Sequence, residues 1–326
     1  MQNFESIPFS DRLSRIGYLL KHTATVVGRD ADIVTPWIAM IVYAVVMVTA
    51  FFVGVLGAFM GSFSLWGPGF GLAVLMFVYK YFFYNYREMG QSWLVYETIC
   101  GRDRSYADAK ATAKERKSGV RKLAGLDMLM AYVGSQKEEK SGGITDWLVN
   151  LFIQGLKEVW DLVNHYMLPA IAIDELSLTD GVKKMKGLRD DVPETLVGVF
   201  GIDFIGRVVG QVTGGLYVVL VLLAGAIVYF GSGALPEAFT YTIQQNPFGP
   251  GPMLVNVLPV IALLYVGKLF GVVFERTVTS IKVIYFTIFY TQITHRDRIA
   301  DDLQPQLVSY LRMEEDEVTQ EATSTA

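Results

Sequence analysis

Two long apolar stretches, from about Trp37 to Tyr84 and from about Gly206 to Ile293, each turn through a Gly/Pro-rich loop that contains no Lys or Arg. The basic residues outside the apolar spans all fall on the other side of these hairpins. Lipid accepts only segments whose backbone polar groups are satisfied internally, and about 20 apolar residues of helix cross its hydrocarbon layer. The chain is therefore expected to be an all-α integral membrane protein built on two transmembrane helical hairpins, with four spans. Because basic loops stay in the cytoplasm, the hairpin tips should lie outside and both termini in the cytoplasm of a cell (plasma) membrane protein.

Composition supports that placement. Of 326 residues, 52% are hydrophobic and 18% charged, and mean hydropathy is +0.36, on the membrane side of the soluble range. The net charge of −4 argues against nucleic acid as a partner, which would select a basic face. Cys100 is the single cysteine, which excludes an internal disulfide and a Cys-based metal cluster.

The chain divides by composition into six parts. Residues 1–35 read as an interfacial amphipathic helix: Phe9, Leu13, Ile16 and Leu20 recur at helical spacing with Arg12, Arg15 and Lys21 between them. Residues 36–86 form the first hairpin, with a helix from Trp37 to Met60, a turn over Gly61 to Gly69 and a return from Phe70 to Tyr84. Residues 87–143 carry eleven Lys and Arg, so they are expected to be a cytoplasmic charged helical insertion, helix-rich from Tyr106 to Tyr132 and packed against the membrane ends of the spans. Residues 144–194 hold an amphipathic membrane-associated helix over about Ile144 to Ile173 and a basic connector. Residues 195–293 form the second hairpin, turning over Gly231 to Pro252 and descending from Met253 as a helix of roughly 60 Å. That length requires the helix to project beyond the bilayer or to bend, with Gly267 and Gly271 the expected places. Residues 294–326 are acidic and polar, and are expected to be a disordered tail.

Two polar or small-residue patterns stand out. Gly198, Gly206, Gly210 and Gly214 fall at multiples of four, a small-residue face that lets helices approach closely in lipid. It would serve packing within the chain or self-association, and Gly54, Gly57 and Gly61 offer a partner surface. Asp203 and Arg207 are four apart on one helix. Lys268, Glu275, Thr279 and Lys282 share one face of the last helix. Asp203, Arg207, Lys268, Glu275 and Lys282 are thus candidates for a polar path, although an anchoring pair and the polar side of an emerging helix are the simpler explanations.

Enzyme signals are weak. His22, His165 and His295 lack metal-ligand spacing, and no HExxH, GxSxG or Walker sequence occurs. Gly67-Pro-Gly69-Phe-Gly71 follows no strand and so makes a poor dinucleotide fingerprint. Glu158, Asp161 and His165 fit a solvated helix face. No catalytic residue, metal site or cofactor is assigned.

The stretch from Val159 to Gly201, which contains Pro169, Glu175, the basic run Lys183-Lys184-Met185-Lys186 and then Gly198 and Gly201, resembles polytopic bacterial and archaeal membrane protein families of unknown function. Their shared plan is an aromatic-rich helix, P-x4-E, a basic helix and a Gly-rich membrane helix. Arg12 to Asp32 followed by Pro36, and the Gly101-Arg-Asp-Arg-Ser-Tyr run, also resemble these families. The resemblance implies a multispan helical fold and no established activity. The expected function is that of a non-catalytic membrane protein, a self-associating scaffold or complex subunit whose partners are membrane lipids and either further copies of itself or other membrane proteins. The alternative is a channel or transporter with a polar path near Asp203, Arg207, Lys268 and Glu275.

Overall fold

The computed structural model describes residues 23–135, 167–177, 179–181, 183–184, 214–227, 236–243 and 253–305. These are mostly helical. In chain order they form α1 (23–29), α2 (Val34–Phe59), α3 (Phe63–Ile99), α4 (Tyr106–Glu115), α5 (Lys117–Ser135), α6 (167–174), α7 (Gly214–Ile227), the strands β1 (Thr240–Ile243) and β2 (Met253–Asn256), and α8 (Leu258–Thr294). Three helices are long and apolar enough to cross a membrane: α2 with its short 3-10 entry (Ala31–Phe59), α3 and α8. Helix α7 is apolar but shorter.

The chain forms two compact units, and α2, α3 and α8 each contribute to both. One unit comprises Ile38–Phe83 and Phe200–Val278; the other comprises Met1–Trp37, Tyr84–Val199 and Thr279–Ala326. Their burial rules are opposite. In α3, Leu72, Val74, Leu75, Phe77, Val78 and Tyr79 are exposed in the first unit, whereas Asn85, Glu88, Gln91, Ser92, Glu97 and Thr98 are buried in the second. Helix α8 behaves likewise, with Leu264, Val266, Phe270 and Phe274 exposed and Ser280, Thr287, Thr291 and Gln292 buried. An apolar outer surface is what hydrocarbon solvates, and buried polar groups with partners are what an aqueous domain tolerates. With 37 residues each, α3 and α8 are about 55 Å long, nearly twice a hydrocarbon layer of about 30 Å.

In the first, apolar-surfaced unit, small residues set the α2–α3 hairpin. A Cβ at Gly69 would lie 2.6 Å from the Gly54 nitrogen, and one at Gly57 would lie 2.5 Å from the Trp66 nitrogen. Close backbone approach replaces side-chain interdigitation there. Gly54 and Gly57 are therefore occupied by the hairpin's own second helix. Tyr43 stacks on Phe83 at 4.2 Å and donates to the Met76 carbonyl at 2.6 Å. Gly267, expected as a bend, lies inside an unbroken α8 and makes room for α7: its Cβ would meet Leu220 at 2.7 Å.

Both turns differ from the expected ones. Helix α3 begins at Phe63, so Ser64 to Gly69 are helical and the first turn is only Met60 to Ser62. Gly61 (φ +65°) supplies the left-handed residue of a Schellman closure, with Ser62 N–H donating to Gly57 C=O at 2.8 Å. Pro68 lies in the second turn of α3, where it gives up the hydrogen bond its N–H would have made to Ser64 C=O. In the second turn, Met253 opens a strand rather than a helix. Thr240 pairs with Asn256 and Ile243 with Met253 in an antiparallel ribbon. The buried Asn256 ends the ribbon by donating to Pro236 C=O, and its Oδ1 accepts from Leu258 N–H at 3.0 Å, starting α8.

Among the described residues, the second, polar-surfaced unit has two larger apolar clusters and a smaller one of Ala170 and Tyr290. Val26, Ile33, Leu94, Ile99, Ala109, Ile288 and Leu303 form one. Met89, Ala113, Val120, Leu123, Leu168, Ile171 and Val283 form the other. Helices α4 and α5 thus supply Ala109, Ala113, Val120 and Leu123 to cores completed by the ends of α3 and α8. The stretch expected to be helix-rich, 106–132, is α4 and α5; Ser105 and Asp108 form a capping box that starts α4.

Candidate functional site

Among the described residues, a set of titratable side chains meets in the polar-surfaced unit, where α6 ends. A carboxylate at a helix C-terminus opposes the helix dipole, so Asp174 needs donors. Three surround it: Lys184 Nζ and the Tyr290 hydroxyl both donate to Oδ2, and His295 Nε2 donates to Oδ1 at 2.6 Å. Lys184 Nζ also donates to the Tyr290 hydroxyl at 3.1 Å and stands 5.2 Å from the centre of its ring. Tyr290 is fully buried.

Burial pushes the Asp174 carboxyl up, but the hydrogen bonds from Lys184, Tyr290 and His295 outweigh it and hold the group below the usual carboxylate range. Asp174 is thus held ionised, and it ties α6, the segment at 183–184 and the end of α8 into one junction. The next residue, Glu175, adopts φ +55°, a left-handed conformation that usually falls to glycine. Leu176 N–H returns to Ala170 C=O, and Glu175 Oε1 accepts from Arg116 Nη2 at 2.7 Å.

A second set adjoins it through His295, whose ring meets Tyr96 edge-on at 5.7 Å. Arg298 donates to the Tyr96 hydroxyl at 3.1 Å. Arg102 donates bidentately to Glu97 at 2.6 and 2.8 Å, and this pairing raises the guanidinium further above its ordinary range. Burial raises the half-buried Cys100 thiol, so it is a poor nucleophile at neutral pH. The third polar feature is a buried seam between α3 and α8: Gln91 Nε2 donates to Ser280 Oγ at 2.6 Å and to Ile33 C=O, while Ser92 and Thr287 hydroxyls meet at 2.7 Å. Among the described residues, no group of three or more His, Cys, Asp or Glu is placed to hold a metal ion.

The sequence-derived candidates are distributed differently. Lys268 and Glu275 are exposed in the apolar-surfaced unit, Glu275 paired with its neighbour Arg276, and Lys282 is half-buried in the polar-surfaced one. A Cβ at Gly214 would meet no atom within 4 Å. Gly198, Asp203, Gly206, Arg207 and Gly210, with His22, Glu158, Asp161 and His165, lie outside the described residues. Sequence reasoning picked out Glu175 and passed over Asp174, although Asp174 is the acid that follows Pro169 by P-x4 spacing. Comparison with protein-family models, with curated proteins and with solved structures finds no match to this chain.

Proposed function

We propose that this chain is a non-catalytic polytopic membrane protein, a self-associating scaffold or a subunit of a membrane complex. It crosses the membrane four times in two hairpins, with α2, α3 and α8 as spans and the fourth in the 195–227 region, and keeps both termini and the polar-surfaced unit in the cytoplasm. The observation that carries this reading is the inversion of burial along α3 and α8. Each helix has a lipid-suited surface in one unit and contributes a packed polar seam to the other, which supports a membrane anchor continuous with an aqueous helical platform. The ionisable groups of that platform are engaged in holding its segments together: Asp174 takes three donors and Glu97 takes Arg102 and Arg104. Lys268 and Glu275 favour the same reading, since a translocation path would turn such groups inward and both are exposed.

The test is the composition of the particle extracted directly into lipid nanodiscs, paired with flux through proteoliposomes. A discrete assembly of several copies, or a stoichiometric complex with other membrane proteins, is expected, with no flux above protein-free vesicles. A monodisperse single chain with gradient-driven flux would overturn the proposal.

A further inference from the structure

Helix α5 has two faces. Val120, Leu123 and Ala124 are buried, the first two in the cluster that holds Met89 and Val283. The opposite stripe, Arg121, Lys122, Gly125, Met128 and Leu129 at helical spacings of three and four, is exposed, and it changes from basic to apolar along its length. Among the described residues of the polar-surfaced unit, Met128 and Leu129 are the two large apolar side chains left exposed; the others lie in the apolar-surfaced unit.

The residue before this pair fixes where it stands. Asp127 Oδ2 accepts from Asn85 Nδ2 at 2.6 Å, and Asn85 is two residues, about 3 Å of helix rise, past Phe83, where α3 leaves the apolar-surfaced unit. Met128 and Leu129 are thus held close to the point on α3 where exposed Leu75, Val78 and Tyr79 give way to buried polar groups. Arg121 and Lys122 lie about 10 Å back along α5, close to the depth of a headgroup layer, which long basic stems reach. The helix carries Lys117, Arg121 and Lys122 against the single acid Asp127, a balance that suits an anionic surface.

We propose that the exposed stripe of α5 is a membrane-interface contact, with Met128 and Leu129 seated at the edge of the hydrocarbon and Arg121 and Lys122 against the phosphates of an anionic leaflet. Two apolar side chains fall far short of the roughly 800 Å² per partner that a stable protein interface buries, whereas a short apolar edge flanked by cations is how a helix rests on lipid. This contact rests on α3 being a span, and it goes beyond the scaffold reading by bringing part of the aqueous platform onto the bilayer.

Single spin labels in a Cys100→Ser background, in protein reconstituted into phosphatidylglycerol vesicles, test it through access to oxygen and to a water-soluble nickel complex. A label at Leu75 reports on the span, one at Lys114 on water and one at Leu129 on the contact. Leu129 should favour oxygen as Leu75 does. R121Q/K122Q should shift Leu129 toward the nickel access of Lys114 and leave Leu75 unchanged, and phosphatidylcholine vesicles should reproduce that shift. Nickel access at Leu129 equal to that at Lys114, with Leu75 still favouring oxygen, would overturn the contact and leave the span standing; nickel access at all three would overturn both. Shielding of Leu129 from both reagents would assign the stripe to protein instead, with dipolar broadening between labels marking a second copy. A Leu129 label indifferent to both R121Q/K122Q and lipid charge would overturn the part given to the two cations.

Discussion

His295 Nε2 stands 2.6 Å from Asp174 Oδ1, joining the residue just past α8 to the end of α6, 121 positions earlier. Together with Lys184 and Tyr290 it fixes the charge on Asp174 and closes the polar-surfaced unit.

Replacing Asp174 by Asn leaves Lys184 and His295 without their anion and should destabilise this unit by roughly 3 kcal/mol. The pH dependence follows from the lowered carboxyl. Its contribution is fully present above the unfolded carboxylate value of about 3.9 and is lost as pH falls through the lower folded value. Thermal unfolding followed from pH 7 into acid should therefore show a loss of stability below about pH 4 that is absent in Asp174→Asn. Superimposable acid profiles would remove the junction from the account.

Glu175 pays for its left-handed backbone. Glu175→Gly should be more stable than Glu175→Ala by about 1 kcal/mol, since both lose the Arg116 contact and only glycine relieves the conformation. Equal melting temperatures would show that the turn relaxes.

The α2–α3 hairpin depends on backbone contact at Gly69. Gly69→Ala places a methyl 2.6 Å from a backbone nitrogen and should cost about 1–3 kcal/mol. Gly71→Ala, where a Cβ meets nothing, should be neutral or stabilising by up to about 1 kcal/mol. Unfolding of the detergent-solubilised variants compares them.

Cys100 reports orientation. With the platform in the cytoplasm, an impermeant maleimide should modify Cys100 only after permeabilisation, and a cysteine at the exposed Ser64 in a Cys100→Ser background should react in intact cells. Because burial raises the thiol, labelling should continue to quicken as pH passes the ordinary thiol value of about 8.5. Rapid labelling of Cys100 in intact cells would reverse the topology.

The long helices were legible because lipid-exposed segments need unbroken apolar runs, and Trp37 to Met60 supplies one. The charged stretch that opens at Arg87 likewise lies within three residues of Tyr84, where α3 passes from one compact unit to the other. The turns were misjudged for local reasons. Gly67, Pro68 and Gly69 look like loop punctuation, yet the proline lies near a helix start and the glycine serves close packing. Two strands of only four residues each, on either side of a Gly/Pro-rich stretch of sequence, leave too short a periodicity to read. The Asp174 junction was not legible from spacing, because residues 174, 184, 290 and 295 come together only through tertiary packing; its one local trace is Asp174 five residues after Pro169.

The most direct measurement is the accessibility of single spin labels to oxygen and to a water-soluble nickel complex along α3 and into α4 in reconstituted protein. Labels at Leu72, Leu75 and Val78 should favour oxygen, and labels at the exposed Lys110 and Lys114 should favour nickel, with the exchange falling near Tyr84. Nickel access at Leu75 equal to that at Lys110 would place both units in water and contradict the account.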